Sequence, residues 1–99
     1  MIDLSAVEGF DWDAGNAQKS FDKHAVSQTE AEQVFVSAPL LSMDVGHSHQ
    51  EERFQALGET IHGRRLHVTF TLRAGGRKIR IISARDMNRK ERAIYEQSA

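Results

Sequence analysis

The stretch that decides the fold is Arg65-Leu66-His67-Val68-Thr69-Phe70-Thr71-Leu72-Arg73, in which apolar and polar side chains alternate. Alternation with period two is typical of a β-strand that turns one face toward a core. Ile79 and Ile81 of the next apolar segment align with the core set. The other face is either simply solvated, as is common in antiparallel sheets, or fit to bind an anion. It would present hydrogen-bond donors and cations, namely His67, Thr69, Thr71, Arg73 and Arg80.

Two further segments, Arg53–Glu59 and Lys78–Arg85, have the composition of strands and flank the first one along the chain. Glycine-containing turns at residues 60–64 and 74–76 separate the three segments. Because both turns are short, neighbouring strands should be antiparallel. The last segment carries arginines at both ends of an apolar run, where a phosphate can be held.

The N-terminal half is predicted to hold one strand and two helices. Val7–Trp12 reads as a short opening strand, and Asp13 would cap a polar helix over Asn16–His24. Ser27-Gln28-Thr29-Glu30 has the pattern of a capping box, and Pro39 marks the end of the helix that follows.

Near the C-terminus, Asn88 would cap a closing helix over Arg89–Gln97. The order is then strand, two helices, three antiparallel strands and one helix. This order predicts an α+β fold whose helices gather on one face of the sheet. The length of 99 residues suits a single domain, residues 1–99.

Charge is divided unevenly along the chain. Residues 1–50 carry two Lys/Arg and eight Asp/Glu, and residues 51–99 carry eleven and six, so the halves have formal charges of −6 and +5. A cationic half suits a phosphate backbone or an acidic partner. The absence of cysteine excludes disulfides and thiolate chemistry. With no apolar run of membrane length and no secretory signal, we expect a cytoplasmic protein that does not contact membrane.

Histidines suggest two further sites. Lys23-His24 closes the first predicted helix, where cations simply favour the helix dipole, although the pair is also able to act as an acid and a base. His47, His49 and Glu51 share one face of an extended chain, but their spacing matches no established metal scaffold. We therefore predict no metal site and no cofactor.

Taken in their order along the chain, these motifs resemble the BrnT family of toxins in bacterial type II toxin–antitoxin systems. The resemblance spans about nine-tenths of the chain. Two departures, Ala25 in place of the family's glycine and Asn16 and Ser20 in the first helix, would alter a turn or weaken a substrate contact. The matching residues are Phe10–Asp13, Lys23–Ser27, Glu32–Phe35, Asp44, His47-Ser48, Glu51–Arg53, Gly58, Gly63-Arg64, Leu66, Thr71, Arg73, Ile79–Arg85, Glu91-Arg92 and Tyr95.

The resemblance implies a RelE-like fold and a metal-independent ribonuclease that cuts RNA and arrests translation. It also implies a BrnA-like, ribbon-helix-helix antitoxin that binds the toxin in a hetero-oligomer and through which alone operator DNA is contacted. Attack by the ribose 2′-OH needs proton transfer and charge stabilisation. The catalytic candidates are Arg80, Arg73, Arg85, His24, Lys23 and Tyr95, and the substrate-binding candidates are His67, Thr69, Thr71 and Arg53.

Two alternatives remain at this point. In the first, the protein is a non-catalytic module whose basic half docks an acidic protein or RNA. In the second, which concerns Arg80 alone, this residue is a structural cation paired with a helix carboxylate such as Glu91. Direct DNA binding is disfavoured, because the cations lie mainly on predicted strands and turns rather than on a recognition helix.

Overall fold

A computed structural model of the chain describes residues 4–13, 15, 22–47 and 51–98. Within these residues, five strands form one sheet in the order β1-β5-β4-β3-β2. The neighbours β2, β3, β4 and β5 are antiparallel, and β1 is parallel to β5. The predicted α+β fold with a mostly antiparallel sheet is confirmed. The strands are β1 (Gly9–Phe10), β2 (Leu40–Met43), β3 (Phe54–Glu59), β4 (Arg65–Arg73) and β5 (Lys78–Asp86).

The predicted bounds are most accurate where a strong local pattern exists. Strand β4 and the closing helix have the predicted ends, and β3 and β5 differ from the prediction by one residue each. The opening strand is shorter than Val7–Trp12, because only two of its residues pair with β5. Strand β2 was not predicted, since four residues give too little periodicity and the strand forms by pairing with β3.

Two nine-residue helices, α1 (Gln28–Val36) and α2 (Arg89–Gln97), both begin with a capping box. In α1 the Ser27 hydroxyl accepts from the Glu30 N–H at 3.1 Å while the Glu30 carboxylate accepts from the Ser27 N–H at 3.1 Å. Asn88 and Glu91 form the same pair in α2 at 2.8 and 2.9 Å. Residues 22–24 are helical as predicted, and the rest of the predicted helix Asn16–His24 lies outside the described residues.

The core lies between α1 and the face of the sheet that carries the apolar residues of β4. Leu66, Val68 and Phe70 are fully buried there, together with Ile79 and Ile81 of β5. Phe70 packs edge-to-face against Phe35 of α1 with ring centroids 4.9 Å apart. The face assignment made from period two is therefore confirmed for the core side.

The helices do not gather on one face, so this part of the prediction is wrong. The α2 side chain Glu91 bonds Arg85 and lies 3.7 Å from His67, and both partners belong to the face opposite the core. The structure describes every residue of α2. The helix is mostly polar, and none of its residues is buried. Ion pairs of Glu91 with Arg85 and of Glu96 with Arg65 therefore connect α2 to the second face.

Two positions have unusual backbone requirements, one through a close contact and one through its dihedral angle. A side-chain carbon added at Gly58 of β3 would lie 2.9 Å from Val34 Cγ1 of α1, so only glycine allows this approach. Ala25, where the resembled family usually has glycine, has φ of 54°. The chain therefore keeps the glycine-type turn there at the strain cost of an alanine in the left-handed region, on the order of 1 kcal/mol.

Candidate functional site

A β-bulge in β5 brings its two end arginines to the same face of the sheet. Pairing with β4 shifts register between Thr69 and Phe70, so that Arg80 lies opposite Thr71 and Arg85 lies opposite His67. In a regular strand, residues five apart would point to opposite faces. The extra residue of the bulge restores both arginines to the face that also carries Arg73, which we call the open face.

The arginines of the open face do not converge on one point. The β4 partners of Arg80 and Arg85 are four residues apart, which corresponds to about 13 Å along the strand. Arg73 lies one diagonal step from Arg80, since it pairs with Lys78. We call the end with Arg73 and Arg80 the two-arginine end and the end with Arg85 the one-arginine end, with Thr69 and Ser83 between them. The names count these three arginines alone, because Arg65, at the start of β4 beyond His67, lies on the same face and pairs with Glu96 of α2.

At the one-arginine end, three side chains form a cluster beneath α2. Arg85 donates to both carboxylate oxygens of Glu91, at 2.7 and 2.9 Å, and to the carbonyl oxygen of Asp86 at 3.2 Å. His67 Nε2 lies 3.7 Å from Glu91 Oε2, a distance too long for a hydrogen bond. The His67 residue is only 6% exposed, and its Nδ1 atom has no hydrogen-bond partner among the described residues.

The cluster shifts the protonation of its members. Burial lowers the pKa of His67, the positive charge of Arg85 lowers it further, and the charge of Glu91 opposes both effects. The hydrogen bonds from Arg85 lower the pKa of the Glu91 carboxyl and raise that of Arg85 itself. At neutral pH the cluster therefore combines a fixed ion pair with an uncharged imidazole.

A groove of about 470 Å³ opens beside this cluster, between α2 and the strands β2 and β3. Its walls combine apolar side chains with polar groups from both sides. A groove of this size with a few convergent polar groups is the usual form of a ligand site. The lining includes Leu40, Ser42, Leu57, His67, Lys90 and Ile94.

At the two-arginine end, carboxylates hold both guanidinium groups. Arg80 donates to Asp13 at 2.8 Å and lies 3.6 Å from Asp11, and Arg73 donates to Glu51 at 3.1 Å. The hydrogen bond that Arg80 donates to the Asp13 carboxylate raises the pKa of Arg80. Asp11 and Asp13 alternate with Phe10 and Trp12, which pack against the core, so one short segment serves both faces.

Apart from His67, the substrate-binding candidates are Thr71, Thr69 and Arg53. Thr71 is buried, and its hydroxyl donates to the Glu52 carbonyl oxygen at 2.7 Å. Thr69 is half-buried in the middle of the open face. The Arg53 carbonyl oxygen accepts from the Asp44 N–H at 2.8 Å.

Three catalytic candidates lie away from Arg80. The carbonyl oxygen of His24 accepts from Arg64 at 3.2 Å, and Arg64 also binds Asp86 at the far end of β5, about 17 Å from Arg80 along the strand. Lys23, next to it, is exposed. The Tyr95 ring lies under the Arg65 guanidinium, 5.7 Å from ring centre to Arg65 Cζ, and burial raises the pKa of its hydroxyl.

Sequence reasoning missed Glu91 as a site residue. Its spacing from Asn88 predicted a helix cap, but no sequence signal showed that the same carboxylate meets Arg85 and His67. The alternative that pairs Glu91 with Arg80 is wrong, because Glu91 pairs with Arg85 while Arg80 pairs with Asp13.

The metal hypothesis involves residues that the structure covers only in part. His49 and the His47 side chain lie outside the described residues. Among the residues that are described, no group of three His, Asp or Glu side chains is placed to hold a metal ion. The described helices also include none that is long and apolar enough to span a bilayer.

Comparison with known proteins places these features in a family. Residues 12–91 match the family model described as ribonuclease toxin, BrnT, of type II toxin-antitoxin system. The 1.1 Å crystal structure of the Brucella abortus ribonuclease toxin BrnT is similar with a TM-score of 0.58 and 19% sequence identity. The alignment covers 84% of this chain and 100% of that one, and at this identity it shows a shared fold. No curated protein matches the chain.

Proposed function

Since the chain belongs to the BrnT family of ribonuclease toxins of type II toxin–antitoxin systems, we propose that it cleaves RNA without a metal ion on the open face of its sheet. The observation that carries this proposal is the bulge in β5. It places Arg80 and Arg85 on the face that carries Arg73, so that the three arginines span about 20 Å, along which an extended RNA strand can bring successive phosphates to them.

The ion pairs of the two-arginine end are compatible with RNA binding. The pair partners Asp13 and Glu51 are largely exposed, and exposed pairs contribute only ~0–1 kcal/mol. An RNA phosphate can therefore displace these carboxylates or take the remaining N–H donors of each guanidinium. In the free protein the same carboxylates hold Arg80 and Arg73 in place.

The reaction proposed is attack of the ribose 2′-OH on the adjacent phosphorus. It needs a proton acceptor for the 2′-OH, a proton for the leaving 5′ oxygen and cations for the charge that develops on the phosphoryl oxygens. Arginine suits the last task because its planar fork contacts two phosphate oxygens at once. All of these roles can be met by side chains, so the chemistry requires no metal.

In the cell, we propose that RNA cleavage arrests translation in the cytoplasm. Membership of a toxin–antitoxin family implies a protein antitoxin as partner, and we propose a BrnA-like, ribbon-helix-helix protein that neutralises the toxin in a hetero-oligomer. The C-terminal half, with a formal charge of +5, offers a surface for an acidic segment of that partner. Association should slow as salt rises, because exposed charges are screened beyond ~8 Å at physiological ionic strength.

The activity test uses the purified protein and a defined single-stranded RNA in the presence of excess EDTA. We expect cleavage products with 2′,3′-cyclic phosphate and 5′-hydroxyl ends, because the 2′-OH is the nucleophile. Full inhibition by EDTA that zinc reverses would overturn metal independence and favour a site at His47, His49 and Glu51. RNA that is bound but left intact would instead support the non-catalytic binding module.

Arginine variants test the proposed site in the same assay. Arg80→Ala should lower the cleavage rate by about 10²–10³-fold, as for loss of a charge-stabilising donor. Arg80→Lys should restore only part of the rate, since an ammonium lacks the bidentate fork. Arg77→Ala is the matched control, because Arg77 lies in the β4–β5 turn and donates to the Ala74 carbonyl oxygen. A folded Arg80→Ala protein that cleaves at the wild-type rate would remove Arg80 from the site.

A further inference from the structure

We infer that His67 is the proton acceptor of the cleavage step. Glu91 is the residue that positions it, because its carboxylate holds Arg85 and faces the His67 ring. The inference rests on the proposed ribonuclease activity and assigns its proton transfer to the one-arginine end of the open face. The two-arginine end then binds a neighbouring phosphate rather than the reacting one.

The first support is the unpartnered imidazole in the groove wall. His67 Nδ1 is buried without a hydrogen-bond partner among the described residues, and a buried polar atom left unpaired is unfavourable for folding. Nε2 faces the Glu91 carboxylate at 3.7 Å, a gap that no hydrogen bond closes. Because Nδ1 is enclosed, we assign the proton to Nε2, which lies on the side of the ring toward Glu91, another residue of the groove lining.

The second support is the set of charges around the ring. From β5 the Arg85 guanidinium faces it, from α2 the Glu91 carboxylate, and beyond the end of β2 the charge of Asp44 acts on it. Lys90 of α2 lines the same groove, while the neighbouring lining residues of β3, Gln55 and Leu57, are uncharged. Burial and Arg85 lower the His67 pKa more than the two carboxylates and the interaction of the ring with its own backbone raise it, so the ring is neutral at pH 7 and ready to accept a proton.

Glu91 connects three parts of the site. One carboxylate oxygen accepts from the Asn88 N–H at 2.9 Å and from Arg85 at 2.7 Å, and the other accepts from Arg85 at 2.9 Å and faces His67. Because the first turn of α2 holds this carboxylate, the helix start fixes the plane of the Arg85 guanidinium. Two of the five N–H donors of Arg85 point at Glu91 and one at the Asp86 carbonyl oxygen, which leaves donors for a phosphoryl oxygen.

The proton balance of the step is complete with water as the only further participant, since the hydroxide that the leaving group leaves behind is neutralised by the proton that His67 gives up. The 2′-OH proton passes to His67 as the 2′ oxygen bonds to phosphorus, and the P–O5′ bond breaks. The leaving 5′ oxygen takes a proton from water in the groove, and the His67 imidazolium returns its proton to solvent. Arg85 faces the phosphoryl oxygens, where negative charge accumulates between bond formation and bond cleavage.

The first experiment reads His67 directly by NMR titration of its ring signals in the free protein, so it does not depend on activity. The wild-type His67 should titrate below the ordinary histidine value of ~6.5. Glu91→Gln should lower the His67 pKa further, because the opposing negative charge is gone and Arg85 is no longer neutralised. Glutamine still fits a capping box, so α2 should keep its start.

The chain offers a matched control in Glu30→Gln. Glu30 also stands at the third position of a helix and closes its capping box, and it also binds an arginine, Arg64. It lies in α1, on the core face of the sheet. Its replacement should leave the His67 titration unchanged. An unchanged His67 pKa in the Glu91→Gln protein would overturn the positioning role of Glu91.

The second experiment measures kcat/KM for RNA cleavage against pH. The acid limb should follow the His67 pKa from NMR and move to lower pH in Glu91→Gln but not in Glu30→Gln. His67→Gln should lower the rate by about 10²–10⁴-fold while the RNA Kd stays within a few-fold. A folded His67→Gln protein that cleaves at the wild-type rate would overturn the role of His67 and leave the proposed ribonuclease function intact. A wild-type protein that cleaves no RNA would instead sink the proposed function, while the NMR result would still report the cluster.

Discussion

The two faces of the sheet are each covered by a nine-residue helix that begins with a capping box, yet the helices attach in different ways. On the core face α1 buries Ala31 and Val34, and Gly58 lets it approach the sheet closely. On the open face α2 buries no residue and is held by Glu91 and by Glu96, which bonds Arg65 at 2.5 Å. Apolar burial stabilises in proportion to area, whereas exposed ion pairs contribute little. The α1 face therefore supplies stability, and the α2 face keeps polar groups within reach of a ligand.

The capping-box glutamates show the same contrast at atomic scale. Glu30 binds Arg64, whose other partners are Asp86 and the carbonyl oxygens of His24 and Ala25. This network ties the end of β5 to the start of α1 and to the segment that precedes it. Glu91 also binds an arginine, Arg85, but its Oε2 atom lies in addition 3.7 Å from His67 Nε2, and both residues line a groove. One motif thus serves as a structural tie in one place and as part of a candidate site in the other.

The largest stability effect should come from the core face. Phe70 is fully buried between Phe35 and Phe54, so Phe70→Ala should lower the free energy of unfolding by ~3–5 kcal/mol. Urea unfolding measures this, with Thr69→Ala, one residue away on the open face, as the control at about 1 kcal/mol or less. Equal losses for both variants would show that the two faces contribute alike.

Two arginines, Arg64 and Arg85, are bound by the capping-box glutamates, and replacing each of them by alanine should separate stability from activity. Arg64→Ala should lower the free energy of unfolding by about 1–3 kcal/mol, through loss of charged hydrogen bonds, and leave the rate per folded molecule intact. Arg85→Ala should lower the cleavage rate by about 10²–10³-fold. Melting temperature and RNA cleavage measured on both proteins test this contrast, which fails if the two variants lose activity in the same proportion to stability.

A smaller effect should appear in the pH dependence of stability. The folded-state pKa of His67 is lowered, so between about pH 6.5 and that lower value the unfolded chain binds the extra proton. Stability should therefore fall as pH drops through this window and be unaffected by His67 above it. Subtracting the pH profile of His67→Gln from that of the wild type isolates the effect, and a flat difference would mean that the ring is not desolvated in solution.

The smallest effect should come from the outer ion pair of α2. Glu96 is 59% exposed, so Glu96→Gln should change the free energy of unfolding by less than about 1 kcal/mol, and added salt should remove the difference. Parallel measurement of Glu91→Gln tells whether the inner pair contributes more. A large, salt-independent loss for Glu96→Gln would show that α2 is anchored by this residue and not by its capping box.

Prediction from sequence succeeded where local patterns are strong. The alternation in Arg65–Arg73 located β4 and its buried face, and the spacings Ser27-x-x-Glu30 and Asn88-x-x-Glu91 located both helix starts. It also drew attention to His67 and Arg80, whose roles remain proposals. These features follow from interactions within a few residues, which a single sequence displays directly.

The tertiary structure alone decided how those pieces combine. The bulge opposite Thr69 and Phe70 placed Arg85 on the same face as Arg80, and no local pattern marks a residue that pairing leaves out. Strand β2 exists because β3 pairs with it, and α2 lies on the open face because Arg85 and Arg65 meet its carboxylates there. The sequence by itself determined which residues form strands and caps, since that depends on near neighbours. The site depends on contacts between residues far apart in the chain, and only the folded sheet brings His67, Arg85 and Glu91 together.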